Sequence, residues 1–479
     1  MEGPTSLLAA LKAPFYHDGR LDRLTLALFL AINGLVFANS ILHDPGIGYD
    51  AVDHLRYIRI LPLRLPSEED TREFFSPPLP YVVPSLVDKA CLAWTGEVPV
   101  AGAEDDCLRL AGKAAQLSNF FLSLGVTFLF LKIGEAVRPG NHFWRASALL
   151  LLGVMTVYYK TFAQVRGEPY VVLFAVWGLY LLARIVMQPD RVAARTAVGL
   201  GVILGLLGLS RQWGFMLFPA ILGLMILAWA ADRLYRARIL KALAASLAIA
   251  LAICGWFYVG LFARYGSLTA FNRAARPFAF SNQPIAFYRN TGLKDLWLFR
   301  SPTRGTFDNQ FLPTFYSEVW GDYWGYFVLI PERASLGDDR YQPNADRMTP
   351  YLGRANAAAI LPSLAFAAGV VIGMFSLARR RRAEGEARGR SLFTAVLLMF
   401  GGGAFLLYLY FLIRFTSIGP DTTIKATFVL HALLVLPLLG ADFLEKVRTR
   451  LPPAYDASLV FLVVVWLHNL PTMITQYRL

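Results

Sequence analysis

Charge is scarce in this chain. Only 16% of its 479 residues are Asp, Glu, Lys or Arg, while 56% are apolar and the mean hydropathy is +0.47. That balance excludes an ordinary soluble domain. Cysteine and histidine are scarcer still, at three and six. With no CxxC and no second Cys/His pair, a structural zinc site is not expected. Nothing repeats at a fixed period, which sets aside solenoids and arrays. Neither long loop has the low complexity of a disordered linker. A net charge of +13 raises the question of nucleic acid, but the cations are scattered between apolar runs and form no block with interleaved aromatics. No nucleic-acid partner is expected.

What the chain has in abundance is apolar runs of about 20 residues, each long enough to cross a hydrocarbon core of about 30 Å as a helix. They fall at 24–42, 117–134, 146–159, 170–187, 196–210, 214–231, 242–262, 353–378, 392–413, 426–444 and 456–474. The pattern predicts an all-α polytopic membrane protein of about 11 transmembrane helices. The first run exceeds a signal-peptide core and leads into His43-Asp44-Pro45 without a small-residue cleavage pattern, so it is expected to be retained. Lys12/Arg20/Arg23, Lys132/Arg138/Arg145, Arg184/Arg191/Arg195, Arg233/Arg236/Arg238/Lys241, the run Arg379 to Arg390 and Lys446/Arg448/Arg450 all fall on one side. The short connections on the other side carry far fewer cations, chiefly Lys160, Arg166, Arg211, Arg414 and Lys425. The positive-inside rule therefore places the N-terminus in the cytoplasm.

The expected organisation is a cytoplasmic segment 1–23, an N-terminal transmembrane module 24–262 containing a first outer loop 43–116, a second outer loop 263–350, and C-terminal helices 351–479. Both long loops mix Gly, Pro and aromatic residues, as ordered loops do, and are expected to hold amphipathic helices at the interface. Cys91 and Cys107 share the first loop. A disulfide between them and two unpaired packing thiols are both open readings. Cys254 lies inside a span as a packing residue.

The first loop opens with GYDAVDHLRYIR, Gly48 to Arg59. In a helix, Asp50, His54 and Tyr57 follow i, i+4, i+7 and share a face. A carboxylate and an imidazole on one face suit general-base chemistry. The plainer alternative is that Asp50 and Asp53 solvate a loop and cap a helix start.

The run YDAVDHLRYIRILPLRLP, followed by FFSPPLPYVV at Phe74 to Val83, resembles the first outer loop of the C-type membrane glycosyltransferases (GT-C), which take sugars from polyprenyl-phosphate carriers. Asp50, His54, Tyr57, Leu65-Pro66 and Pro77-Pro78-Leu79 match that pattern in order and spacing, with Pro80 where many members carry Tyr. KTFAQVRGEPY places Arg166 and Glu168 where the family's cavity is lined, and DTTIKATFVLHALLVLPLL is similar to its C-terminal motif, with Lys425 at the basic position. These three stretches carry the resemblance. The region Ala263 to Pro350 has no correspondence.

The resemblance implies an inverting transfer at the extracytoplasmic face, with Asp50 as base. A phosphate leaving group needs cations in place of an acid. Arg211, Lys425 and Arg414 are the candidates for the donor phosphate, while Arg166 is placed to pair with Glu168. An arginine this close to hydrocarbon either lines a wet cavity or snorkels to the interface. His54 can orient the acceptor, hydrogen-bond Asp50 or bind metal with Asp53. The hydrogen-bonding role is favoured, because one histidine with one or two carboxylates is a thin ligand set. A divalent cation is left open. His431 is expected to pack or line a cavity. Asp308, Glu318 and Asp322, in an aromatic loop, either contact sugar or are solvated charges.

The expected partners are a polyprenyl-phosphate sugar, a lipid, glycan or protein acceptor and membrane lipid, in a bacterial inner membrane with the site facing the periplasm. The endoplasmic reticulum is the alternative. Competing readings are a glycan polymerase or ligase, and a transporter or flippase of a lipid-linked sugar. The latter should carry broken helices and paired repeats, of which the sequence shows little. A non-catalytic scaffold would leave Asp50 and His54 without a role.

Overall fold

The computed structural model describes residues 12–96, 105–188, 194–229, 233–291, 296–336, 345–378, 385–418 and 423–478. Of the residues named above, Lys12 onward is covered except Arg191, Arg379 to Arg382 and Asp421, which lie outside the described residues.

In hydrocarbon, a single run can satisfy its backbone N–H and C=O groups only as a helix. Each of the eleven apolar runs falls on a helix or on a bent pair of helices. Among the described residues seven helices are long and apolar enough to cross a membrane alone, and two bent pairs raise the number to nine. Ala194–Gly208 and Gln212–Leu227 are apolar but shorter. The expectation of about 11 crossings therefore holds for apolar segments and not for full-length spans. Apart from a hairpin pairing Tyr16–His17 with Arg20–Leu21, the described structure is helix and connecting chain.

Polar caps set several helix starts. Asp22 accepts from the Thr25 amide at 3.1 Å to begin Arg23–Leu42, Asp105 from Leu108 at 2.8 Å to begin Asp106–Val137, and Asn141 from Trp144 at 2.9 Å to begin His142–Gly153. Close packing needs small residues. A Cβ on Gly201 or Gly205 would stand 2.7 or 2.6 Å from Ile249 or Ile253, so this stripe lets Arg233–Tyr265 approach Ala194–Gly208.

The two breaks matter for the site. His142–Gly153 and Thr156–Ala163 meet at 65°, and the Tyr159 hydroxyl donates to Gly153 O at 2.8 Å, satisfying a carbonyl near the break. Ala426–Leu433 and Val435–Arg450 meet at 43°. There Pro437 removes an N–H from the first turn of the second helix, a sufficient cause for a bend. Broken helices, of which the sequence suggested little, are thus present twice.

The described parts of the long loops pack against the helices and against each other. In the first, Ala51–Ile60 buries Leu55 and Ile58 with Leu108, Ala111 and Ala115, and turns Val52 outward. Helix Leu79–Thr95 follows, and a Cys91–Cys107 disulfide joins it to Asp106–Val137. The second loop carries Phe311–Trp320, whose Glu318 reaches the first loop at Tyr49. The segment Ile474–Arg478 closes the arrangement: the Asp44 amide donates to Tyr477 O at 3.1 Å and the Gln476 amide to Phe327 O at 2.9 Å.

Candidate active site

Asp50 stands just before Ala51–Ile60 with left-handed backbone angles, φ 54° and ψ 27°, and its side chain makes no capping bond. Asp tolerates that region better than most residues. The carboxylate is thereby free to face Lys425, with Oδ2 3.4 Å from Nζ. Lys425 is fixed from behind, where its backbone N–H donates to the Tyr408 hydroxyl at 2.7 Å. Its ammonium sits over the Tyr49 ring at 4.7 Å and the Phe428 ring at 5.6 Å. Lys425, as the largest influence, holds the Asp50 carboxyl well below the usual carboxylate range, against the opposing effect of burial. Asp50 is ionised at neutral pH.

The pair lines a narrow cleft of about 40 Å³. Arg72, Glu73 and Arg211 form one wall, Phe271, Asn272 and Arg273 another, and Thr423 and Phe428 flank Lys425. Among the described residues the buried Asn272 Oδ1 has no hydrogen-bond partner.

Beneath the cleft runs a buried ionic network. Arg166 grips Glu168 with two bonds of 2.7 and 2.8 Å, and Arg211 adds Nε to Glu168 Oε1 at 3.3 Å. The other end of Arg211 donates to Glu73 and Ser76, and the Ser76 hydroxyl donates to Glu73 Oε2 at 2.6 Å. Gly167 permits the crossing, since a Cβ there would lie 2.9 Å from Arg211 Cγ. Arg166 and Glu168 do pair, as the sequence suggested. Arg211 is committed to two carboxylates and forms part of the wall, which leaves it little capacity for a phosphate.

His54 points into this network and not at the Asp50 carboxylate. Its Nδ1 shares a 2.8 Å hydrogen bond with the Tyr81 hydroxyl and lies 3.8 Å from Glu73, while the buried Nε2 has no partner among the described residues. Only its backbone N–H reaches Asp50, at the carbonyl. The favoured side-chain bond to Asp50 is therefore not formed, because Tyr81 and Glu73 lie closer to the ring. Burial pushes the imidazole pKa down, with Glu73 pulling the other way. Tyr57 is fully buried, stacked on Tyr81 at 4.1 Å, and donates to Ser76 O at 2.8 Å, so it braces the Pro77-Pro78-Leu79 stretch and is not among the residues lining the Asp50 cleft. Asp53 turns away to the Arg72 amide at 3.4 Å and the Thr71 hydroxyl at 3.5 Å.

Glu318 and Asp322 are buried structural anions and do not face the cleft. Lys160 lies 2.8 Å from Glu318 Oε2 and 3.5 Å from Asp322 Oδ1. Tyr49 donates to Glu318 Oε2 at 2.7 Å, and Asp322 Oδ2 accepts from the Phe327 and Val328 amides at 2.7 and 2.8 Å. This clamp holds Tyr49, the residue before Asp50. Arg414 lies outside the cleft, in an adjoining cavity. Its Nε donates to Arg276 O at 2.9 Å. Among the described residues no three His, Cys, Asp or Glu side chains converge as a metal site requires.

Next to the cleft in the chain, Val429, Ala432 and Leu433 line an almost wholly apolar groove of about 610 Å³ with Val370, Met374 and Phe405. Met374 is 61% exposed beside it.

No protein-family model matches the chain, and no curated protein matches it in sequence. Solved structures with similar backbones include an archaeal oligosaccharyltransferase AglB from Archaeoglobus fulgidus, in complex with an inhibitory peptide and a dolichol-phosphate. It has 13% identity and a TM-score of 0.48 over 96% of this chain. The Archaeoglobus fulgidus oligosaccharyltransferase tethered to an acceptor peptide gives 13% and 0.45 over 94% of this chain. This chain spans little more than half the length of those two, 57% and 54%. ArnT from Cupriavidus metallidurans in the apo state gives 13% identity and 0.39, covering 93% of this chain and 77% of that one.

Sequence reasoning missed Arg72, Glu73, Arg273, Tyr49 and Lys160. Glu73 and Arg72 directly precede the FFSPPLP stretch. Lys160 was read only as an outer-side cation, although a charge directly after the apolar run 146–159 marks it for burial with a partner.

Proposed function

We propose that the protein is an inverting membrane glycosyltransferase that moves a sugar from a polyprenyl-phosphate donor to a hydroxyl acceptor. The observation that carries this reading is the Asp50–Lys425 pair in a cleft with two further guanidinium groups, Arg72 and Arg273, neither of which has a carboxylate within ion-pairing distance among the described residues. In the proposed step the acceptor oxygen attacks the anomeric carbon from the side opposite the phosphate, and Asp50 takes the hydroxyl proton. The bond from the anomeric carbon to the phosphate oxygen breaks. Its electron pair leaves with the polyprenyl phosphate, whose added charge Lys425, Arg72 and Arg273 stabilise.

Lys425 plays two parts here. While it pairs with Asp50 it keeps that carboxylate weakly basic. A donor phosphate that draws the ammonium away makes Asp50 a better base at the moment it is needed. The apolar groove beginning one residue after Phe428 suits the prenyl chain. The Cys91–Cys107 bridge in the first loop agrees with an extracytoplasmic, periplasmic placement of that loop. The acceptor is a lipid, glycan or protein.

The two bent helix pairs favour a second reading, a flippase of a lipid-linked sugar. One experiment separates them. Protein reconstituted in liposomes is given polyprenyl-phosphate sugars and a panel of acceptors, and both sugar transfer and lipid translocation are followed. Wild type should transfer sugar, and Asp50→Asn should lose at least about 100-fold in rate while still binding donor. Translocation of intact donor without cleavage would instead establish the flippase.

A further inference from the structure

The cleft around Asp50, at about 40 Å³, has no room for an acceptor ring beside the donor phosphate and the reacting hydroxyl, since a water alone needs roughly 10–15 Å³. A second cavity of about 460 Å³ adjoins it, sharing Phe271 and Arg273 as a common wall. Small-molecule sites typically run to roughly 300–1,000 Å³, so the larger cavity has room for a ring where the cleft has none.

Its chemistry is specific. Phe74, Tyr265, Tyr410 and Phe415 present aromatic surface, and Arg273 and Arg414 present guanidinium groups. Arg414 donates only to neutral acceptors, the Arg276 carbonyl at 2.9 Å and the Tyr410 hydroxyl at 3.0 Å. Among the described residues neither arginine has a carboxylate within ion-pairing distance. Glu68, exposed at the edge, is the one acidic side chain lining the cavity. The shared wall is anchored: Gln212 Nε2 donates to Ala270 O at 3.0 Å and to Phe75 O at 3.1 Å, tying the two long loops together at this point. Aromatic faces suit sugar rings, and a guanidinium fork suits a phosphate or carboxylate.

We propose that this cavity is the acceptor subsite and that the acceptor is an anionic saccharide. Its ring stacks on the aromatic walls, Arg414 holds its phosphate or carboxylate, and one hydroxyl passes Phe271 and Arg273 to reach Asp50. The assignment to an acceptor rests on the transferase reading. Binding of an anionic sugar does not.

Binding is therefore the test. Wild type, Arg414→Gln, Arg273→Gln and Asp50→Asn are placed in nanodiscs of zwitterionic lipid and titrated with glucose 6-phosphate, glucuronate, glucose and glycerol 3-phosphate. The two charged sugars should bind wild type and Asp50→Asn alike. Glucose and glycerol 3-phosphate should bind at least tenfold more weakly, lacking the charge or the ring. Arg414→Gln, on a half-exposed side chain, should lose at least tenfold with its thermal unfolding unchanged, and Arg273→Gln should lose affinity in the same direction. Charged sugars that bind Arg414→Gln as well as wild type, or glucose that binds as well as its phosphate, overturn the proposal. Glycerol 3-phosphate binding as tightly as glucose 6-phosphate overturns the saccharide and points to a lipid headgroup phosphate. A protein that binds the charged sugars through Arg414 yet transfers nothing defeats the transferase reading and leaves the site standing.

Discussion

Lys425 comes to Asp50 from 375 positions away in the chain, and its removal has a direction that can be checked. Because the ammonium is the chief influence holding the Asp50 carboxyl low, Lys425→Met should let that pKa rise. The acid limb of kcat/KM should then move to higher pH, and the donor KM should increase. An acid limb that stays in place would separate Lys425 from the base. At Asp50 itself, Asn is the informative replacement. Ala would add about 1–2 kcal/mol of left-handed backbone strain to the loss of the carboxylate. Both members of the pair were legible through the resemblance, Asp50 in the first-loop stretch and Lys425 at the basic position of the C-terminal motif. Arg72, Glu73 and Arg273 were not, since they sit in loops whose residues follow no period. Asp53 was read toward the site on adjacency alone, and one residue of helix rotation sends it to the Arg72 amide instead.

The Lys160 clamp joins Thr156–Ala163 to Phe311–Trp320 and, through Glu318, holds Tyr49 beside Asp50. Lys160→Met should leave Glu318 and Asp322 buried without a cation, at a cost of about 3–5 kcal/mol. Thermal unfolding in detergent reads that loss. Adding Glu318→Gln should restore part of it, and a double variant no better than the single one would argue against the clamp. Burial pushes the Glu318 pKa up, and Gln keeps its size while removing the charge that burial disfavours. At this scale the eleven apolar runs were legible because hydropathy is a local property summed over about 20 residues. The bends were not. A 65° turn within HFWRASALLLLGVMTVYYKTFA has no proline to announce it, and it depends on tertiary partners for the freed backbone.

Across the whole molecule, the cleft and the apolar groove are lined by successive residues, Phe428 and Val429. Gly402 lines the groove, and a Cβ built there meets nothing within 4 Å. Gly402→Leu should therefore fill the groove without disturbing the helix. It should raise the KM for long-chain donors at least about tenfold and leave short-chain donors unaffected, as a chain-length series would show. Equal effects on both would place the prenyl chain elsewhere. Arg273 has a different long-range consequence, because one guanidinium borders two cavities meant for two anions. Occupancy on either side lowers the attraction left for the other, so the ligands oppose each other by one thermodynamic factor that is the same in both directions. That antagonism acts as a release mechanism. The leaving phosphate gains charge as the glycosidic bond breaks, and its growing claim on Arg273 loosens the hold on the finished product across the wall.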